Sequence, residues 1–324
     1  MESPQNIKKR LKSVNNIGQI TKAMELVSAT KMRKSQQIAL DSRPYAFSAM
    51  ELLAKLTILP ALGWSASGGE KNYPDLMKTR KQIKRVLFVL IASDKGLAGA
   101  FNSSVFKKFE KHFAEDARHQ GEEKLFLAVG EKSSAYLLKK GFKVIKKFAQ
   151  VGDFTTPEQA KPIADFITQG YLNKDWDRVI VISTHFKTAL RQEPHVRRVL
   201  PIDFDHISDT ITEIIPERGK FAELIKENNI SFVPDKLKIK ESIIEPSTKI
   251  VLEKLASHLF FMQIYHLILE ANASEHSARR MAMKTASDNA KDLEERLNLQ
   301  YNKSRQQKIT TEISEISAGA EALN

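Results

Sequence analysis

The sequence reads as an antiparallel two-helix coiled coil, formed by the N- and C-terminal segments, joined to a central Rossmann-like, mostly parallel α/β domain. Three observations carry this reading. Long helix-permissive runs with apolar residues stepping by three and four lie at both ends, residues 1–59 and 247–324. Between them, over 83–204, the pattern changes to short continuous apolar runs alternating with helical stretches. Residues 60–82 and 205–246 read as connectors without period.

The first helical run extends from Asn6 to Leu59. Ile7, Leu11, Val14, Ile17, Ile20, Met24 and Val27 are expected to form its seam. Gly18 interrupts it at a cost of about 1 kcal/mol relative to alanine. Pro44 is expected to kink or locally break the helix. Stepping resumes at Met50, Leu53 and Leu56. Pro60, Gly63, Gly68, Gly69 and Pro74 then punctuate the connector.

In the central domain, Val86–Ile91 is the continuous run expected of a strand buried on both faces. A helix is expected over Ser104–His119, a strand over Leu125–Val129 and a helix over Lys132–Lys140. Val144–Phe148 is a third strand and Pro157–Leu172 a helix. Val179–Ile182 and Val196–Ile202 complete the sheet, the last strand antiparallel after a short hairpin. Residues 205–246 read as an irregular excursion with three prolines and one amphipathic piece, Lys220–Lys226.

The final run, Ser247–Asn324, has no proline and one glycine, Gly319. It is long enough for a rod of roughly 110 Å, with Ser247 or Thr248 as N-cap. Its stepping runs through Leu255, Leu259, Met262, His266, Leu269 and Ala273. It continues through Ala286, Ala290, Leu293, Leu297 and Tyr301, then Ile309, Ile313, Ile316, Ala320 and Leu323. Matched at the domain end, the second helix should overhang the first by about 20 residues, roughly 30 Å. Apolar residues on an overhang imply a partner around the tip.

Composition bounds the function. The 324 residues carry 28% charged and 42% hydrophobic residues and a net charge of +12, as expected of a folded chain. No run of about 18 uncharged apolar residues is available to span a membrane. The opening Met1–Asn6 lacks the apolar core of a signal peptide, so no secretory leader is expected. Without cysteine there is no disulfide or zinc–thiolate site, which fits a reducing compartment. Residues 1–50 hold nine Lys/Arg against three Asp/Glu. The basic face Lys31, Arg33 and Lys34 would suit nucleic acid, an anionic membrane or an acidic protein partner. Buried-seam geometry and the absence of aromatics before Tyr45 weigh against nucleic acid.

Catalytic motifs are weak. Ser93–Asn102 sits where a phosphate loop would lie but has only G-x-x-G, so a tight strand-to-helix turn is the better reading. His258, His266 and His276 have no metal-ligand spacing. Neither a metal nor another cofactor is expected, and no direct nucleotide binding.

Several motifs together resemble one family. Ile309-Thr310-Thr311-Glu312-Ile313-Ser314-Glu315 through Gly319-Ala320 is similar to the C-terminal signature of the gamma subunits of F-type ATP synthases. Ser274-Glu275-His276-Ser277-Ala278-Arg279, Met283–Ala290, Tyr301–Gln306, Ile20–Val27 and the Ser93–Asn102 turn match its other motifs.

The resemblance implies a central rotor shaft, present once per complex, which couples proton flow to ATP synthesis and regulates ATPase activity. The paired helices would stand inside the ring of alpha and beta subunits. The α/β domain would sit on the membrane c-ring beside the epsilon subunit, at the cytoplasmic face of the bacterial inner membrane. Met24, Arg279, Arg305, Gln306, Thr310 and Glu312 would then be coupling contacts, and the basic face would meet acidic loops of the catalytic subunits. A non-rotary coiled-coil adaptor for an acidic partner and a nucleotide-dependent enzyme remain the alternatives from the residues alone.

Overall fold

The protein's structure is a computed structural model describing residues 3–58, 74–115, 121–151, 153–202, 245 and 247–321. Most of the 60–82 connector and nearly all of the 205–246 excursion, with Lys220–Lys226, lie outside the described residues. The chain divides into two compact units. One comprises Met1–Thr30 with Arg279–Asn324, and the other Lys31–Ala278. Two helices, α1 (Pro4–Ile58) and α5 (Thr248–Glu321), contribute to both. Among the described residues no helix is long and apolar enough to cross a membrane.

The larger unit is built on five strands: β1 (Arg85–Ile91), β2 (Glu123–Val129), β3 (Val144–Phe148), β4 (Arg178–Phe186) and β5 (Gln192–Leu200). Their order is β3-β2-β1-β4-β5. All pairs are parallel except β4–β5, which is antiparallel. β1 lies at the centre, with Phe88 opposite Phe126 and Ile180. Its near-continuous apolar composition follows from burial on both faces. The last strand begins earlier than expected, because Gln192–Arg198 is polar and only half-buried.

Alternation divides β1 between two cores. Val86, Phe88 and Leu90 join Val105 and Phe109 of α2 (Phe101–Glu115) and Leu137 of α3 (Glu131–Lys139). Phe88 and Phe126 stack at 5.8 Å, and Phe109 meets Phe126 edge-on at 6.0 Å. Leu87, Val89 and Ile91 face α4 (Pro157–Leu172) and the first half of α5. There α5 is buried on every side from Ile264 to Ala271, so no amphipathic stripe is needed. Asp177 fixes the lower edge of the sheet. Its Oδ2 accepts the Lys84 and Arg85 backbone amides at 2.8 and 3.0 Å, and Oδ1 pairs with Arg80.

Ser247 is the N-cap of α5: its Oγ accepts the Ile250 amide at 3.3 Å. The local break expected at Pro44 does not occur, because α1 is helical through that residue. A single lost amide bond is offset by propagation on both sides of a long helix.

In the smaller unit, α1 and α5 pair antiparallel. Asn15 Nδ2 donates to Glu294 Oε1 at 2.9 Å, and Gly18 faces Ala290. The seam stripe on α1, buried or half-buried, is Ile7, Leu11, Val14, Gly18, Thr21, Glu25 and Ser28, a strict alternation of four and three. This corrects the expected seam. Ile17, Ile20 and Val27 are 54%, 60% and 53% exposed, and Met24 is half-buried. The apolar residues take two steps of three after Val14, which falls short of the 3.5-residue period and carries them off the interface. On α5 the stripe is Met283, Ala286, Ala290, Glu294, Leu297 and Tyr301, while Leu293 is exposed.

Candidate functional site

The smaller unit presents two exposed apolar surfaces. On α1, Ile17, Ile20, Met24 and Val27 form a stripe roughly a quarter turn from the seam, given about 100° per residue. Met24 is the half-buried member of this stripe, and beside it Lys22 Nζ pairs with Glu25 Oε2 at 2.9 Å. On α5, every residue from 305 to 318 is exposed. Ile309, Ile313 and Ile316 share one stripe of this tip.

Polar side chains flank that tip stripe. Gln306 and Thr310 lie along one edge, Arg305 and Glu312 along the other. Thr310 Oγ1 donates to the Gln306 carbonyl at 3.0 Å, and Lys308 Nζ lies 3.5 Å from Glu312 Oε1. Exposed pairs of this kind contribute little to stability, so the polar groups are available to a partner. Arg279 differs from the others: it is buried.

The basic face of α1 is partly used within the chain. Lys31 pairs with Asp153, and Lys34 Nζ stands 4.5 Å above the Phe154 ring. Arg33 is exposed.

At the C-terminal ends of β1 and β2 lies a cleft of about 280 Å³, bordered by Asp94, Lys95, Gly130, Asp153, Glu275 and His276 among others. The Ser93–Asn102 corner beside it is closed by its own hydrogen bonds. Asn102 Oδ1 accepts the Ser93 amide at 3.1 Å, and Ser93 Oγ donates to the Lys95 carbonyl at 2.7 Å. Asp94 Oδ1 accepts the Glu131 amide at 3.0 Å, where an anion would otherwise meet the start of α3. Gly130 has φ +95°, and a Cβ there would stand 2.0 Å from the Ala92 carbonyl oxygen. The corner is a tight turn in which the Ser93 amide and hydroxyl are engaged within the turn. Among the described residues no His, Asp and Glu group is arranged to hold a metal.

Sequence reasoning missed one buried cluster. Glu270 lies against His185 Nδ1 at 3.1 Å and His266 Nε2 at 3.2 Å, with Arg197 Nη1 at 4.0 Å. Burial pushes its carboxyl up, but the charge of His266 and the hydrogen bonds from both histidines outweigh this and hold it well below the carboxylate range. His266 and Glu270 are four residues apart on one helix face. That was the only local signal, because His185 and Arg197 arrive from distant strands.

The ATP synthase family model matches residues 3–323. Over 329 aligned residues the chain is 37% identical to an ATP synthase gamma chain of Herpetosiphon aurantiacus, with 100% of both chains covered. The chain belongs to the ATP synthase gamma chain family. A gamma chain of Bdellovibrio bacteriovorus is 34% identical, covering 100% of this chain and 99% of that one. The fold also resembles a chain in the Euglena gracilis mitochondrial ATP synthase, OSCP/F1/c-ring assembly. There the TM-score is 0.60 and the identity 17%, with 99% of this chain and 94% of that one covered.

Membership in the gamma chain family makes this a central-stalk subunit of an ATP synthase, not a free-standing adaptor. The gamma chain signature on α5 coincides with the exposed tip, and the Ile20–Val27 motif with the exposed stripe on α1.

Proposed function

We propose that this gamma chain is the rotating shaft that couples proton flow to ATP synthesis, and that it carries no active site of its own. The exposed apolar tip carries the reading. Ile309, Ile313 and Ile316 lie on a helix with every residue from 305 to 318 exposed. An apolar stripe of this kind calls for an enclosing partner, and a sleeve of alpha and beta subunits would supply it. Non-directional apolar contact lets a shaft turn, whereas Arg305, Gln306, Thr310 and Glu312 would give the contact preferred angles. Met24 and the stripe beside it would meet the same ring lower down. Shaft angle would then select among catalytic-subunit conformers of different nucleotide affinity.

In this reading the chain occurs once per complex. Its α/β domain rests on the membrane c-ring beside the epsilon subunit, peripheral to the cytoplasmic face of the inner membrane. The Ser93–Asn102 corner, closed by Ser93 and Asn102 and lacking a phosphate-loop glycine pattern, supports a non-catalytic role. Two measurements test this. Purification from membranes should recover two homologous ATPase subunits with the chain, and a bead fixed to it should turn in one direction during ATP hydrolysis. Calorimetry on the isolated chain should detect no ATP binding; stoichiometric micromolar binding would overturn the non-catalytic assignment.

A further inference from the structure

The segment Asp153–Thr155, between β3 and α4, touches both long helices inside the larger unit. Toward α1, the Asp153 carboxylate pairs with Lys31, and its carbonyl accepts a hydrogen bond from Ser35 Oγ at 3.4 Å. Phe154 lies under Lys34. Toward α5, His276 Nε2 approaches Asp153 at 3.4 Å from the carbonyl and 3.6 Å from Oδ1. Thr155 Oγ1 accepts from Asn272 Nδ2 at 2.8 Å. Lys31, Lys34 and Ser35 share one face of α1, and Asn272 and His276 one face of α5. A single short segment of the α/β domain therefore holds two helices that are distant in sequence.

Other polar contacts of α5 in this unit, Glu270 with His185 and Arg197 and Ser277 Oγ with the Ala189 carbonyl, join it to β4, β5 and their hairpin and not to α1. Leu267, Ile268 and Leu269 are buried among apolar neighbours. Such contact resists separation but is non-directional, so it opposes rolling of the helix about its own axis only weakly. Charged hydrogen bonds are directional and stronger. They fix the angular position of a helix against the surface that bears them.

We propose that Asp153 is a positioning residue through which turning force passes between the α/β domain and both long helices at once. The proposal rests on the rotor reading above. Its carboxylate is the group that joins both sides, and it is ionised at neutral pH. Burial raises its pKa, but the hydrogen bond and charge of Lys31, with His276, lower it below the ordinary carboxylate value.

The test uses the complete ATP synthase complex, held by its catalytic head. A bead is attached to the α/β domain through Lys111→Cys on exposed α2, in a chain that has no other cysteine. The readout is the angular spread of the bead during catalytic pauses. Asp153→Asn should lose torsional stiffness and broaden the spread, with the ATP hydrolysis rate retained. Asp153→Glu, which keeps the charge, should restore the narrow distribution. Should Asp153→Asn fail to assemble, Ser35→Ala removes one bond to the same segment and should broaden the spread. A turning complex whose spread is unchanged in the variants that assemble overturns the proposal alone. Equal broadening in Asp153→Asn and Asp153→Glu also overturns it, because charge would then be immaterial. A wild-type complex whose bead never turns overturns the rotor reading and this proposal with it.

Discussion

Asn15 and Glu294 meet across the coiled coil: the Asn15 amide donates to Glu294 Oε1 at 2.9 Å. Asn15 borders the seam between Val14 and Gly18, and a polar pair there helps to set the register of the two helices. The next α1 position along the seam is Gly18, opposite Ala290. Small residues there bring the backbones close. Close approach and the Asn15–Glu294 contact thus help to specify the interface.

Gly18→Ala should stabilise the coil. A Cβ at this position would sit 3.5 Å from the Ala290 Cβ, an ordinary contact distance. Alanine in a helix interior gains roughly 0.5–1 kcal/mol over glycine. The thermal midpoint of the isolated chain should therefore rise. A lower midpoint would mean that the helices pack more tightly at Gly18 than this distance allows.

The central sheet was legible because Val86–Ile91 and Val179–Ile182 are apolar runs too short for helices and fully buried. Both long helices were legible from length and the scarcity of proline and glycine. Their interface was not. Ile17, Ile20 and Val27 look like a seam because apolar spacing alone does not say which face is inside. They lie outside, and Thr21, Glu25 and Ser28 are buried. An exposed apolar stripe carries the same signature as a core. Glu270 and Asp153 were illegible for another reason: their partners come from distant parts of the chain.

The stripe on α1 gives a prediction that separates assembly from folding. Ile17→Ser, Ile20→Ser and Val27→Ser should each change the stability of the isolated chain by no more than about 0.5 kcal/mol, as exposed substitutions do. The triple variant should be recovered poorly in the complex, because it removes the apolar face offered to the ring. Met24→Lys should act differently. Beside Lys22 and Glu25, an added cation would bind an anionic partner too firmly at one angle. Proton pumping per ATP hydrolysed in membrane vesicles should fall while assembly persists. If chemical denaturation shows the triple variant losing several kcal/mol alone, the stripe is part of the core.

Glu270→Gln should destabilise the larger unit by about 3–5 kcal/mol, the usual consequence of removing one partner from a buried charge cluster. It would leave Arg197, His185 and His266 facing a neutral amide. The pH dependence follows from the direction of the shift. The folded carboxyl lies well below its ordinary 4.5. Its contribution is therefore present above the unfolded value and declines as pH falls below about 4.5 toward the folded value. Urea denaturation at several pH values should show wild type losing stability over that acid range more steeply than Glu270→Gln. Parallel pH profiles would remove Glu270 from the acid response.

In the rotor reading, the tip of α5 has two roles, sliding and gripping. Ile313 and Ile316 offer apolar contact that tolerates rotation, and parts of it can be lost piecemeal. Gln306, Thr310 and Glu312 lie on the exposed edges of the same tip and offer directional bonds. Each such bond contributes about 0.5–1.5 kcal/mol net, more when charged. Three lost together would flatten the angular preference that ties shaft position to catalytic state. Deleting residues 316–324 should therefore lower the yield of complex while leaving turnover in what assembles. Replacing Gln306, Thr310 and Glu312 together by alanine should leave the yield near wild type and depress the ATPase rate. Both quantities are measured on the same membranes. A truncation that abolishes activity beside a triple variant that turns over normally would show that the apolar end does the gripping.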